Sequence, residues 1–167
     1  IDELESRPEM QYMPRETVDR WAAATEALRA ESGFDSDVAQ LAIDIRRSLI
    51  LALHRAGARL LLGSDAPQVF NVPGFSVHRE LDLLVAAGLT PFEALATGTT
   101  AAAEFLGTNT GSVEKGKEAD LILLDANPLE DISNSRRIHG VMLRGDWLSS
   151  RDLEERMARF SDSTASP

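Results

Sequence analysis

The chain has 167 residues, of which 43% are hydrophobic, with no cysteine and a formal net charge of −10 at pH 7. Such a length suits one domain or part of a larger one, and the apolar share argues against wholesale disorder. The acidity argues against nucleic acid or an anionic membrane as partner, no apolar run approaches the ~20 residues that span a bilayer, and without cysteine neither a disulfide framework nor a thiolate metal site is available.

The first residues, Ile1-Asp2-Glu3-Leu4, carry neither an initiator Met nor a basic-then-apolar signal segment, as expected of the back portion of a longer chain. The compartment is therefore not fixed; the lack of cysteine favours the cytoplasm. Residues 1–14 are polar, with Pro8 and Pro14, and predict a loop. Val18, Trp21, Ala22 and Leu28 form a helical stripe over residues 15–32, stopped by Gly33. A second helix is predicted over 37–56, with Val38, Leu41, Ala42, Ile45, Leu49 and Leu53 as its buried face and Gly57 as its stop.

Residues 59–63 are short and apolar without alternation, which predicts a parallel strand covered on both faces. The run ends in Gly63-Ser64-Asp65, followed by a loop over 68–76 that contains Val69, Phe70, Val72 and Phe75 among Pro73 and Gly74. A helix resumes near Val77, with Leu81, Leu84 and Val85 on one face, and Gly88 ends it. Thr90-Pro91-Phe92-Glu93 opens another: Thr90 caps, Pro91 suits the first turn, and Glu93 returns a bond to the cap backbone. That helix runs through Leu95, Ala102 and Phe105 to a stop at Gly107. Helix, strand, carboxylate, loop, helix is one unit of an alternating α/β protein, in which strand carboxyl ends collect ligands and catalytic groups. Asp65 is accordingly the foremost candidate residue.

Past Gly107 the pattern changes to a small β appendage. Residues 111–117 predict a short strand and turn, 119–125 a strand closed by Asn127-Pro128, and 138–143 with 147–148 a strand pair around Arg144-Gly145-Asp146. Residues 151–160 form a final amphipathic helix, with a frayed tail over 161–167.

Three ordered blocks resemble the amidohydrolase superfamily, near its imidazolonepropionase-like and prolidase-like branch. They are Leu61-Leu62-Gly63-Ser64-Asp65-Ala66; Glu80-Leu81 with residues 87–95, 99–102 and 105–107; and Gly111-Ser112-Val113 with residues 115–125 and 127–129. The resemblance covers about residues 59–148. It implies an α/β fold in which residues 1–107 are the C-terminal part of a metal-dependent (β/α)8 TIM-type barrel, 108–150 supply strands of a small composite β-sandwich, and 151–167 form a C-terminal helix and tail. It further implies a divalent metal, zinc by family habit, with Asp65 as metal ligand and as proton shuttle during attack by metal-activated water on a C–N bond. The other ligands of that family, a His-x-His pair, a bridging lysine or glutamate and two later histidines, have no counterpart here. A barrel of this type needs at least ~200 residues and a catalytic zinc generally takes three protein ligands, so the segment alone is expected to be inactive. Its implied partners are a small-molecule substrate and the missing N-terminal part of the barrel, and a homo-oligomer is compatible with this organisation.

Plainer readings stand beside these. From spacing alone, Asp65 would serve as a capping or turn carboxylate; the resemblance favours the metal role. Ser64 has no accompanying base and reads as a turn hydroxyl. His78 opens the helix after the loop and is a candidate substrate contact, against packing on its own loop. Phe70 and Val72 divide between loop core and the lining of an apolar substrate pocket. His54 near a helix end and His139 in the appendage read as structural. From a different class, the segment would be a non-catalytic folding, assembly or interaction module.

Overall fold

The computed structural model describes residues 1–31, 33 and 35–165, without the side chains of 161–165. Residues 1–14 are not the predicted loop: helix α1 spans Asp2–Glu5, and a 3-10 turn spans Pro8–Tyr12, opened by Pro8 at the position where a missing N–H costs nothing. Helix α2 spans Arg15–Ala30 and buries Val18 and Trp21, but it ends before residue 32 and leaves Leu28 exposed; Ser32 itself lies outside the described residues.

Helix α3 spans Ser36–Arg55, and the Asp35 carboxylate accepts from the backbone N–H groups of Asp37 and Val38 at 2.8 and 3.2 Å. Its predicted buried face is exposed. Val38, Leu41, Ile45 and Leu49 retain 55–62% of their accessible surface, and Leu53 retains 42%. Periodicity identifies an apolar face but not the partner that covers it, and among the described residues only Ile50 and Leu51, on another edge, pack inward.

Helix α4, Ser76–Ala86, carries the expected face, with Leu81 and Leu84 buried. Helix α5 spans Pro91–Gly98 and α6 spans Thr100–Leu106, so the single helix predicted through this region is broken at Thr99, whose φ and ψ are −121° and −93°. Hydroxyls near the break bond backwards: Thr97 Oγ1 donates to the Ala94 carbonyl at 2.6 Å and Thr99 Oγ1 to the Leu95 carbonyl at 2.9 Å, in competition with the helix ladder. Phe105 and Leu106 point outward, and Ala103 is the buried residue of α6.

The appendage is a three-stranded antiparallel sheet ordered β1 (Leu121–Leu124), β2 (Ile138–Leu143), β3 (Asp146–Ser149). The expected strand at 111–117 is instead a loop closed on itself, with Asn109 Nδ2 donating to the Gly116 carbonyl and Glu118 N–H to that of Asn109. Helix α7, Ser150–Ala165, continues through most of the tail expected to fray, and Ser149 accepts from the Asp152 N–H at its start. Ser166 and Pro167 lie outside the described residues.

Two apolar clusters hold these parts together. In one, Met10, Val18 and Trp21 pack with Phe70 and Val72; in the other, Leu81, Leu84, Leu89 and Ala94 pack with Ile132 from the 3-10 turn Ile132–Arg136 between β1 and β2. The second cluster also takes Leu60 and Leu62. Within the described residues the molecule is thus a mixed α/β unit with a small antiparallel sheet.

Candidate functional site

The segment leading to Asp65 is extended and fixed on one side only. Leu60 and Leu62 turn into the second cluster and Leu61 outward, while Leu62 N–H donates to the Thr97 carbonyl at 3.2 Å. Leu62 also lies where a Cβ at Gly98 would stand, 2.6 Å away, so glycine lets α5 approach. Residues 59–63 are nevertheless not the predicted strand. A ladder needs a neighbouring chain, and no strand among the described residues runs beside them.

Asp65 stands at the end of this segment, exposed, with φ of 55°. That left-handed conformation is one that short polar side chains adopt more readily than most others, and it turns the chain into the loop while presenting the carboxylate to solvent. Gln68 Nε2 donates to Asp65 Oδ2. The rest of the loop is tied down by polar bonds: Asn71 N–H donates to the Gln68 carbonyl at 2.8 Å, Asn71 Nδ2 to the Ser64 carbonyl at 3.3 Å, and Ser76 Oγ to Ser64 Oγ at 3.0 Å. Ser64 therefore stands in a hydroxyl pair with no base beside it, as a turn residue would.

Phe70 and Val72 are 4% and 2% exposed, in the cluster with Met10, Val18 and Trp21; the rings of Phe70 and Trp21 lie 5.8 Å apart at 59°. Both side chains are thus packed in the core of the loop. Phe75 extends this anchorage by stacking on Tyr12 at 5.3 Å, and Arg79 pairs with Glu9 at 2.7 Å. That residues 9–21 clamp the loop is not legible in the sequence, because the apolar residues on the two sides lie far apart along the chain.

His78 is half-buried on the first turn of α4, its Nδ1 2.9 Å from Ser135 Oγ. Burial, aided by the nearby Arg136 guanidinium and opposed by Asp82, pushes its pKa below the ordinary 6.5. Arg136 itself pairs with Asp82, so this face of α4 joins the turn between β1 and β2. Glu80, also half-buried, has its carboxyl pKa raised by desolvation. His54 and His139 take the structural parts expected of them. His54 Nε2 lies 3.0 Å from Glu93 Oε1, and His139 Nδ1 lies 2.9 Å from Asp125 Oδ1.

Asp65 is exposed, and among the described residues only its Oδ2 is engaged, so it offers one donor oxygen where a metal would need several. Among the described residues there is no group of three or more His, Cys, Asp or Glu side chains placed to hold a metal. Nor is any described helix long and apolar enough to cross a membrane.

A carboxylate on a tight loop after an extended segment, backed by helices and followed by a small antiparallel sheet, defines an α/β enzyme-like unit with the ordered blocks described above. The amidohydrolase family model matches residues 33–148, and the chain belongs to that family. It is 39% identical over 82 residues to ochratoxinase of Aspergillus niger, covering 47% of this chain and 16% of that protein. Over 62 residues it is 45% identical to 5′-deoxyadenosine deaminase of Methanobrevibacter smithii, covering 36% of this chain and 14% of that one. Among solved structures, bottromycin amidohydrolase matches with a TM-score of 0.78 at 25% identity, over 97% of this chain and 36% of its own. A putative prolidase from Bifidobacterium longum matches with a TM-score of 0.56 at 35% identity, over 70% of this chain and 30% of its own. The chain thus spans about a third of the structures it resembles and less of the curated relatives.

Proposed function

We propose that this chain is the C-terminal part of a metal-dependent amidohydrolase that hydrolyses a C–N bond in an amide, cyclic amide or dipeptide. The observation that carries this is Asp65: within the family-matched region it is an exposed carboxylate at the end of an extended segment, with one oxygen unengaged among the described residues. Names among the relatives, an amidohydrolase, a deaminase and a prolidase, favour a C–N bond.

A divalent metal, zinc by preference, would supply a water whose pKa falls from 15.7 to roughly 7, so that a nucleophile exists at neutral pH. Asp65 would be one of its ligands, would take a proton from the attacking water, and would return it to the leaving nitrogen. The remaining ligands would come from polypeptide outside this chain, which would also complete a (β/α)8 barrel beside residues 59–63. Exposed apolar groups support that arrangement. The α3 stripe, together with Phe92, Phe105 and Leu106 at 63–69% exposure, is apolar surface that such added polypeptide could cover.

Mixing this segment with the preceding polypeptide and assaying zinc-dependent hydrolysis of an N-acyl amino acid and a dipeptide tests the proposal. Recovered turnover is expected. A stable complex that binds no metal and turns over neither substrate would instead make the segment a folding or assembly module, the role that the lack of a three-donor group would suit.

A further inference from the structure

We propose that the cleft between the 3-10 turn Pro8–Tyr12, strand β2 and helix α7 binds a small organic cation, an aromatic ring carrying an ammonium group. The stripe on α7 shows why a cleft forms. Ser150, Leu153, Glu154, Met157 and Ala158 recur at i, i+3, i+4, i+7 and i+8, one face of a helix, and line the space that α7 leaves against the turn and the sheet. That space is about 570 Å3, within the range of roughly 300–1,000 Å3 usual for small-molecule sites.

The walls select an aromatic body. Tyr12, Phe75 and Ile138 add to Leu153 and Met157, and the rings of Tyr12 and Phe75 are already stacked at 5.3 Å with 16° between their planes. Such rings offer a stiff surface on which another ring packs, and a methionine thioether adapts to ring edges. Charge selects the rest of the ligand. The described lining has no Lys, Arg or His and one carboxylate, Glu154. Its neighbour Glu155 takes the guanidinium groups of Arg151 and Arg159 at 3.1 and 3.8 Å, whereas Glu154 has no ion pair among the described residues. With a net charge of −10 on the chain, an anionic ligand is repelled here and a cationic one attracted. Phe75 immediately precedes α4, so the occupant borders the loop that follows Asp65, without depending on the role given to Asp65.

The test uses the complete protein with isotope-labelled methionine methyl groups, titrated by NMR with phenethylammonium chloride and separately with sodium hydrocinnamate, an aryl ligand of similar size and opposite charge. The Met157 methyl signal should move saturably with the cation and bind the anion more weakly. Glu154→Gln should weaken the cation about two- to fivefold, the scale of an exposed ion pair, without weakening the anion. Ala158→Phe, at an exposed helix position, fills the cleft and should abolish the shift with the melting temperature unchanged. The absence of a saturable shift at Met157 overturns the proposal, the result expected if polypeptide outside this chain occupies the cleft. Equal affinity for the two probes overturns it as well, and so does a cation shift that survives Ala158→Phe, which would put the binding elsewhere.

Discussion

Phe70→Ala should unfasten the loop that carries Asp65. A phenylalanine ring buries on the order of 200 Å2, and at 4% exposure nearly all of that is removed from water. At ~25 cal/mol per Å2 the ring contributes up to ~5 kcal/mol, a figure that an extended reference chain overstates. The left-handed backbone does not offset the loss, because alanine at φ of 56° carries the same Cβ strain. Removal of the ring should therefore cost about 3–4 kcal/mol, within the range of buried aromatic truncations. For a domain of this size that corresponds to a drop of roughly 10 °C in melting temperature. Hydrogen exchange would place the loss: amides at 64–76 should lose protection first, while those of β2 keep theirs. Phe70→Leu should restore most of the stability. If Phe70→Ala melts with the parent and only KM rises, the ring faces substrate and the anchoring role is refuted.

Three further outcomes follow from particular contacts. Thr90→Ala removes the hydroxyl side of a two-way cap, in which Glu93 N–H donates to Thr90 Oγ1 at 3.2 Å, and keeps the backbone N–H that donates to Glu93 Oε2 at 2.7 Å; it should cost about 1 kcal/mol in denaturant unfolding. In the same variant the Glu93 carboxyl, held down to about 2 chiefly by the residue 90 backbone N–H, then by His54 and then by the Thr90 hydroxyl, loses only the last of these and should rise in part while staying below the ordinary 4.5 by NMR. His78 has a folded-state pKa below its ordinary 6.5, so the unfolded chain binds the extra proton and stability should fall as pH drops through 6.5. Melting curves between about pH 5 and 8 should show a shallower acid loss in His78→Gln, and an unchanged slope would count against the burial of that imidazole.

Local chemistry was the most legible part of the sequence. The Thr90-Pro91-Phe92-Glu93 cap forms as expected, because a capping box needs only four consecutive residues. Family membership was legible for a related reason: the ordered blocks lie within the matched region at 33–148. What sequence could not supply was the far side of each contact. The α3 stripe has helical periodicity, yet nothing in Val38 or Leu41 says which surface is to cover them, and among the described residues none does. Residues 59–63 have the composition of a strand and lack the neighbour that would make one. Phe70 and Val72 read as divided between core and pocket lining, and their packing on Trp21 and Met10, far away in sequence, could not be seen there. The break at Thr99 is different again: three threonines around Gly98 were visible, but their competition with the helix ladder shows only when the hydroxyls have partners.

The complete protein with Asp65→Asn, purified alongside the parent and analysed for bound zinc and for hydrolysis, offers the most direct measurement. The amide keeps the size of the side chain and its capacity to accept from Gln68, so the loop should remain folded while the anionic ligand and proton carrier are gone. Zinc content should fall and turnover should drop by at least about a hundredfold, the usual scale for losing a positioned acid–base group. Zinc and turnover both equal to those of the parent would contradict the part assigned to Asp65.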